Sequence, residues 1–248
     1  MTWIYLSPHL DDVAFSCGGL VWEQTQAGTP VEIWTICTGD PPDRTLSAFA
    51  CELHTRWGGG SQAMARRRQE DIAACRQLFA AYRHLPYTDC IYRSHPQAAT
   101  DLYPDREAIF GMLHPAESDL VTALAADLGS RLPPDAAVVC PLAIGGHVDH
   151  RLLRQAARRL PGRLWYYADF PYARQAADEL TGLERDGWKR HIFIISPPAM
   201  DAWAAAIAAH ASQVSSFWPD LTAMRNDLGA YSRLYGGIPL WQPPLAGL

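Results

Sequence analysis

The chain has 248 residues, 48% of them hydrophobic and 19% charged, with a formal net charge of −5. That balance describes a globular chain long enough for a sizeable core and excludes a disordered one. Its mild acidity excludes an electrostatic footprint for nucleic acid or an anionic membrane. No stretch approaches the roughly 18 consecutive apolar residues of a membrane span. The first residues also lack the basic start of a secretory signal. A cytoplasmic protein is therefore expected. Cys17, Cys37, Cys51, Cys75, Cys90 and Cys140 are scattered, with no CxxC pair; buried free thiols fit them better than a cysteine-ligated zinc site.

In chain order, "WIYL" (3–6) reads as a short buried strand. Gly18-Gly19 opens a helical stretch, "LVWEQTQAG", that ends near Gly28, and "PVEIWTICTG" (30–39) reads as a second strand. Together these form one strand–helix–strand unit. Residues 40–62 read as a long loop, either a lid carrying Trp57 as a sugar platform or a plain connection. A helix is predicted over 63–82 and a short third strand over 88–93, and residues 94–116 are irregular. A helix follows over 117–132, then a strong buried strand at 136–142 and a glycine-containing loop leading into another helix. Strands are expected at 163–173, running into a loop, and at 190–196, with an Ala-rich helix at 200–217. The proline-containing tail, 219–248, is expected to pack as loop. This alternation predicts an α/β fold: a single doubly wound, Rossmann-like domain over 1–248, with a mainly parallel sheet and helices on both faces.

Two strand ends carry unusual chemistry. "PHLDD" (8–12) follows the first strand, and "GHVDH" (146–150) follows the strand "AAVVCPL". Ligands of open parallel sheets bind beyond the carboxyl ends of strands. His9 with Asp12, and His147 with His150, are each spaced i and i+3, which turns both side chains the same way in a tight or helical turn. His9, Asp12 and one of the two distal histidines would supply the three N and O donors of a catalytic zinc site, with Asp11 left over as a base. The plainer readings are that an aspartate merely caps a helix and that "HVDH" is a polar helix start.

These residues resemble the PIG-L/LmbE-like zinc-dependent de-N-acetylases. The family shows an "(A/P)HPDDE" turn followed by Gly-Gly, matched here by "PHLDDVAFSCGG". Further ordered matches are "AGTPVEIWTICTGD", "RRQEDIAACRQLF", "HVDHRLLRQAA", "LWYYADFPYA" and "AAIAAHASQ". They run from residue 3 to about 215, and the ordered set is far more specific than any single motif.

The resemblance implies that His9, Asp12 and His150 bind Zn2+, with Fe2+ or Mn2+ as alternatives at such a donor set. It makes Asp11 the general base and a protonated His147 the stabiliser of the oxyanion or leaving amine, with Asp149 polarising a neighbouring histidine. Arg67 matches the family arginine that contacts sugar hydroxyls, Arg68 is the alternative if the register slips, and Asp89 is a further sugar contact. From the "WYYADFPY" stretch, Tyr166, Tyr167, Asp169 or Tyr172 is expected to line the pocket, Tyr167 and Asp169 foremost. His210 reads as structural, and the run Arg66-Arg67-Arg68 as either an anion grip or a solvated helix face.

Leu10, Val13 and Val148 depart from the family pattern, which has proline, glutamate and proline there. Leu10 is expected to loosen the turn, because proline fixes φ. The implied function is removal of an N-acyl group from an N-acetylated sugar or glycoconjugate, in a chain that forms a homo-oligomer. The competing reading is a non-catalytic sugar- or nucleotide-binding module with a vestigial metal site. A dinucleotide fold is disfavoured because no GxGxxG follows the first strand.

Overall fold

Short, mainly apolar runs supply the central strands, because a strand covered on both faces has no use for alternation. The computed structural model describes residues 1–95, 97–98, 100–162 and 164–244. The readings above that touch positions 96, 99, 163 and 245–248 lie, at those positions, outside the described residues.

The chain begins with β1 (Trp3–Ser7), α1 (Asp12–Gln26) and β2 (Val31–Thr35), followed by α2 (Ala48–Arg56), α3 (Ala63–Gln77) and β3 (Ala81–His84). Then come α4 (Arg106–Ile109), α5 (Ser118–Arg131), β4 (Ala137–Pro141), α6 (Val148–Ala157), β5 (Leu164–Tyr167) and α7 (Ala177–Arg185). The chain closes with β6 (Lys189–Phe193), α8 (Pro197–Ala209), α9 (Ala211–Val214), α10 (Leu221–Tyr235) and β7 (Ile238–Gln242). The sheet order is β3-β2-β1-β4-β5-β7-β6. Every pairing is parallel except those of β7, which runs against both β5 and β6. The expected mainly parallel α/β sheet is therefore present. Helices α1, α3 and α8 pack together, and α5 packs on α6.

Several local expectations are corrected. Helix α1 starts at Asp12, not after the glycines, which lie inside it. Gly18 and Gly19 let the Trp203 indole approach the helix: a Cβ on Gly18 would sit 2.6 Å from Trp203 Cδ1. The indole Nε1 donates to the carbonyls of Ala14 and Phe15 at 2.9 and 3.0 Å. The loop predicted over 40–62 contains α2, capped by Ser47.

Helix α3 stops at Gln77 because Phe79 takes a left-handed φ of 54°, and the third strand follows at once as β3. The strand predicted over 88–93 is instead a 3-10 turn, Cys90–Tyr92, capped by the Asp89 carboxylate. The Ala-rich helix is broken at His210 into α8 and α9. The described part of the tail forms α10 and β7 rather than loop. Its prolines flank α10 rather than interrupt it: Pro219 precedes the capping Asp220, and Gly236 ends the helix at a φ of 74°.

The departures from the family turn are accommodated by packing. Leu10 and Val148 are buried in the same apolar cluster, with Leu53, Trp57 and Ile109, whereas Val13 is buried in the main core.

Gly18→Ala should destabilise the chain by about 1–3 kcal/mol by overpacking against the fixed indole, although alanine is the better helix former. Urea denaturation followed by circular dichroism measures this. A variant as stable as the parent would show that Trp203 does not require the glycine.

Candidate active site

Strands β1 and β4 lie side by side, with Trp3 paired to Ala137 and Tyr5 to Val139. From β1 the chain proceeds to β2 on one side, and β4 continues the sheet on the other. Their shared carboxyl end is therefore the switch point at which open α/β sheets form clefts. "PHLDD" leaves β1 here and "GHVDH" leaves β4 here, which brings residues 138 positions apart in sequence into contact.

The Asp12 carboxylate sits between two imidazoles. Its Oδ2 is 3.3 Å from His9 Nδ1, and its Oδ1 is 3.3 Å from His150 Nε2. Donors on a tetrahedral ion with bonds of about 2.0–2.1 Å are separated by about 3.3–3.4 Å. The opposite nitrogen of each histidine meets a buried carboxylate. His9 Nε2 is 3.0 Å from Asp149 Oδ2, and His150 Nδ1 is 2.6 Å from Asp169 Oδ1. Such partners fix the tautomer and raise the basicity of a metal-binding histidine. Ring nitrogens of His9, His147 and His150 also lie within 4.8 Å of one another, so His147 borders the same point. The donor set suits a divalent transition metal.

Asp11 occupies the position before α1 but makes no side-chain capping bond. The plain capping role is therefore not what its carboxylate does. It is buried, with Arg67 Nη2 3.6 Å from its Oδ1. Burial, and then the negative Asp12, push its pKa up to about 6, against the lowering effect of Arg67. Arg67 is itself buried, stacked on Trp57 at 4.4 Å and 3.9 Å from Asp89 Oδ2. Asp89 Oδ2 also lies 3.9 Å from His9 Nε2.

His147 does cap α6: its Nδ1 accepts from the Asp149 amide at 3.2 Å. That bond places the proton of a neutral ring on Nε2. Burial, and then His9 and His150, lower the His147 pKa well below its usual value. With no ion bound, these influences favour the neutral ring. Burial would also lower His150, but Asp12 and Asp169 outweigh it and raise that pKa to about 10. Burial would raise Asp149, but Arg93, and then His9, hold it ionised well below the carboxylate range.

These groups form one wall of a cavity of about 450 Å³, whose remaining walls include Phe49, Leu53, Ile109, Phe110, Tyr172 and Phe217. Arg67, Asp89 and His147 line it. Three other residues expected at the substrate do not. Arg68 turns away to the Thr38 carbonyl and Asp40, each at 2.7 Å, because one residue along a helix rotates the side chain off the face that Arg67 presents. Tyr167 is wholly buried and donates to the Leu6 carbonyl at 3.1 Å. Asp169 lies behind His150, where its second oxygen accepts from the Ile144 amide at 2.8 Å. From the aromatic stretch it is Phe170 and Tyr172 that reach the cavity.

Trp57 caps the end of α2 beneath Arg67, where it is buried and lines the cavity. His210 is buried and unexposed to the cavity, held neutral by burial with a pKa near about 3. The apolar wall and Gln213 were missed; only the loop position of the first and the "AHASQ" match of the second pointed to them.

The fold and site define a mainly parallel α/β protein with a candidate histidine–carboxylate metal site at its switch point. The chain belongs to the PIG-L family: the family model described as GlcNAc-PI de-N-acetylase matches residues 4–160. It is 33% identical over 179 residues to a 2'-N-acetylparomamine deacetylase of Streptomyces fradiae, a match covering 69% of this chain and 58% of that relative. It is 30% identical over 216 residues to a 2'-N-acetylparomamine deacetylase of Niallia circulans, covering 75% of this chain and 72% of the relative. Among solved structures, the zinc-inhibited form of teicoplanin deacetylase Orf2 superposes with a TM-score of 0.81 at 26% identity, over 98% of this chain and 97% of that one. Among the described residues, no helix is long and apolar enough to cross a membrane.

Asp169→Asn should weaken divalent-metal binding about 10–100-fold by releasing His150, with the fold intact by circular dichroism. Competition with a chromophoric chelator measures this. Unchanged affinity would show that Asp169 does not orient the histidine.

Proposed function

We propose that this chain, acting as one domain, is a metal-dependent N-deacetylase that hydrolyses the acetamide of an amino-sugar-containing small molecule, with zinc as the ion. The observation that carries this reading is a carboxylate left unused beside a cluster of metal donors. Asp12 stands 3.3 Å from His9 through one oxygen and 3.3 Å from His150 through the other, and Asp11 next to them neither caps its helix nor bonds to a histidine. The names of the relatives support the same chemistry on amino sugars and sugar-bearing antibiotics.

His9, Asp12 and His150 would hold the ion, which when bound supplies Lewis acidity toward the amide carbonyl and makes water more acidic. Asp11 accepts the proton of the attacking water, and its distance to Arg67 keeps the carboxylate aimed at the cavity. Neutral His147 donates from Nε2 to the carbonyl oxygen as it gains charge. Collapse breaks the C–N bond. The proton held by Asp11 passes to the departing nitrogen, so amide and water become acetic acid and amine, which separate as acetate and ammonium. Asp149 and Asp169 keep His9 and His150 in place and touch no substrate. Asp89 and Arg67 face the cavity, where they are placed to bond sugar hydroxyls.

Asp11→Asn should keep stoichiometric metal and lose about 10²–10⁴ in kcat, read as acetate release from N-acetylated amino sugars. A fully active variant would remove Asp11 as the base. If the parent retains tightly bound metal and yet releases no acetate from any N-acetylated glycoside, the non-catalytic binding module is the better reading.

A further inference from the structure

Beside the active-site cavity lies a second one, of about 380 Å³, that the proposed reaction does not use. Its walls include Gly145, Gly146, Arg151, Arg154, Arg158 and Glu179. The three arginines are spaced three and four apart on α6 and its C-terminal cap, so they share one face. Neutral carbonyls hold two of them: Arg151 Nε donates to Gly146 at 2.9 Å, and Arg154 Nη1 to Leu142 at 2.7 Å.

Among the described residues, none of the three has a carboxylate within ion-pair distance. Other cavity and core arginines, Arg67 and Arg93, do. Arg154 Nε is shut off from solvent and has no hydrogen-bond partner. Glu179 borders the cavity but is exposed and makes no ion pair with them. Three like charges gathered around one open cavity, in a chain of net charge −5, oppose one another unless an anion joins them.

We propose that this cavity is a binding site for a phosphate-type oxyanion, recognised by the guanidinium groups of Arg151, Arg154 and Arg158. Planar guanidinium groups bind tetrahedral or carboxylate oxygens through paired N–H bonds that lysine cannot match. The cavity touches the active site: Phe110 lines both, and Gly146 directly precedes His147. The same oxyanion chemistry therefore has two sources, a free ion or an anionic group carried by a molecule whose acetamide lies at Asp11. The second source rests on the deacetylase reading; the first does not.

The test is titration of inorganic phosphate into the full-length, metal-loaded chain, followed by calorimetry. Saturable one-to-one binding is expected. Arg158→Gln and Arg154→Gln should each weaken it about tenfold or more, with unchanged circular dichroism, whereas Arg131→Gln, paired with Asp127 and outside the cavity's walls, should leave it intact. Absent or non-saturable binding, or binding equal in Arg158→Gln and parent, overturns the site.

Kinetics then separate the sources. If the anion is part of the substrate, Arg158→Gln raises KM for an N-acetylated sugar phosphate about tenfold and leaves the neutral sugar unchanged. If the ion is free, the variant treats both sugars as the parent does while still losing phosphate binding. Because the binding measurement needs no turnover, its failure is distinct from failure of the deacetylase reading.

Discussion

The Asp149 carboxylate is the point on which the site depends. It has no solvent exposure, and it joins three chain segments that are remote in sequence. Its Oδ2 meets His9 Nε2 from the turn after β1 and the Cys90 amide, each at 3.0 Å. Its Oδ1 is 2.5 Å from Arg93 Nη1. Arg93 in turn pairs with buried Glu117, which accepts from the Tyr103 hydroxyl, and that hydroxyl accepts from the His114 amide at 2.8 Å. A buried ionic chain of this kind adds little net stability, because desolvation offsets attraction. Its effect is positional: His9 cannot rotate without giving up its bond to an Asp149 that Arg93 and the Cys90 amide hold in place.

The same logic separates the carboxylates by role. Asp149 and Asp169 stand behind the two histidines, Asp12 between them, and Asp11 in front. Only Asp11 lacks a histidine or amide partner; burial lifts its pKa to about 6 and also raises Asp169, while Asp12 and Asp149 are held low. Four acidic groups close together would repel one another. Arg67 beside Asp11 and Arg93 beside Asp149 compensate, and a divalent cation held by His9, Asp12 and His150 would complete that balance.

The two strand-end motifs and the parallel β1–β4 core were legible because each rests on local signals: continuous apolar runs, and polar side chains clustered where they end. The glycine pair was misplaced because its reason is tertiary, the Trp203 indole lying across α1. The tail was misread because Pro219 and Pro239 suggested breaks, although the first precedes a helix cap and the second sits within β7. Tyr167, Asp169 and Arg68 share sequence neighbourhoods with cavity residues but face away from it, and the direction of a side chain near a strand end or along a helix depends on register that spacing alone does not resolve. Leu10 and Val148, unexplained as isolated departures from the family turns, make sense once both are seen in one apolar cluster with Trp57 and Ile109.

The measurement that bears most directly on this account is elemental metal content together with acetate release, for the parent chain and for Asp12→Ala. One divalent ion per chain, lost with acetate release in Asp12→Ala and on chelation of the parent, is the predicted result. Acetate release that persists undiminished in Asp12→Ala, or after the metal is stripped from the parent, would contradict it.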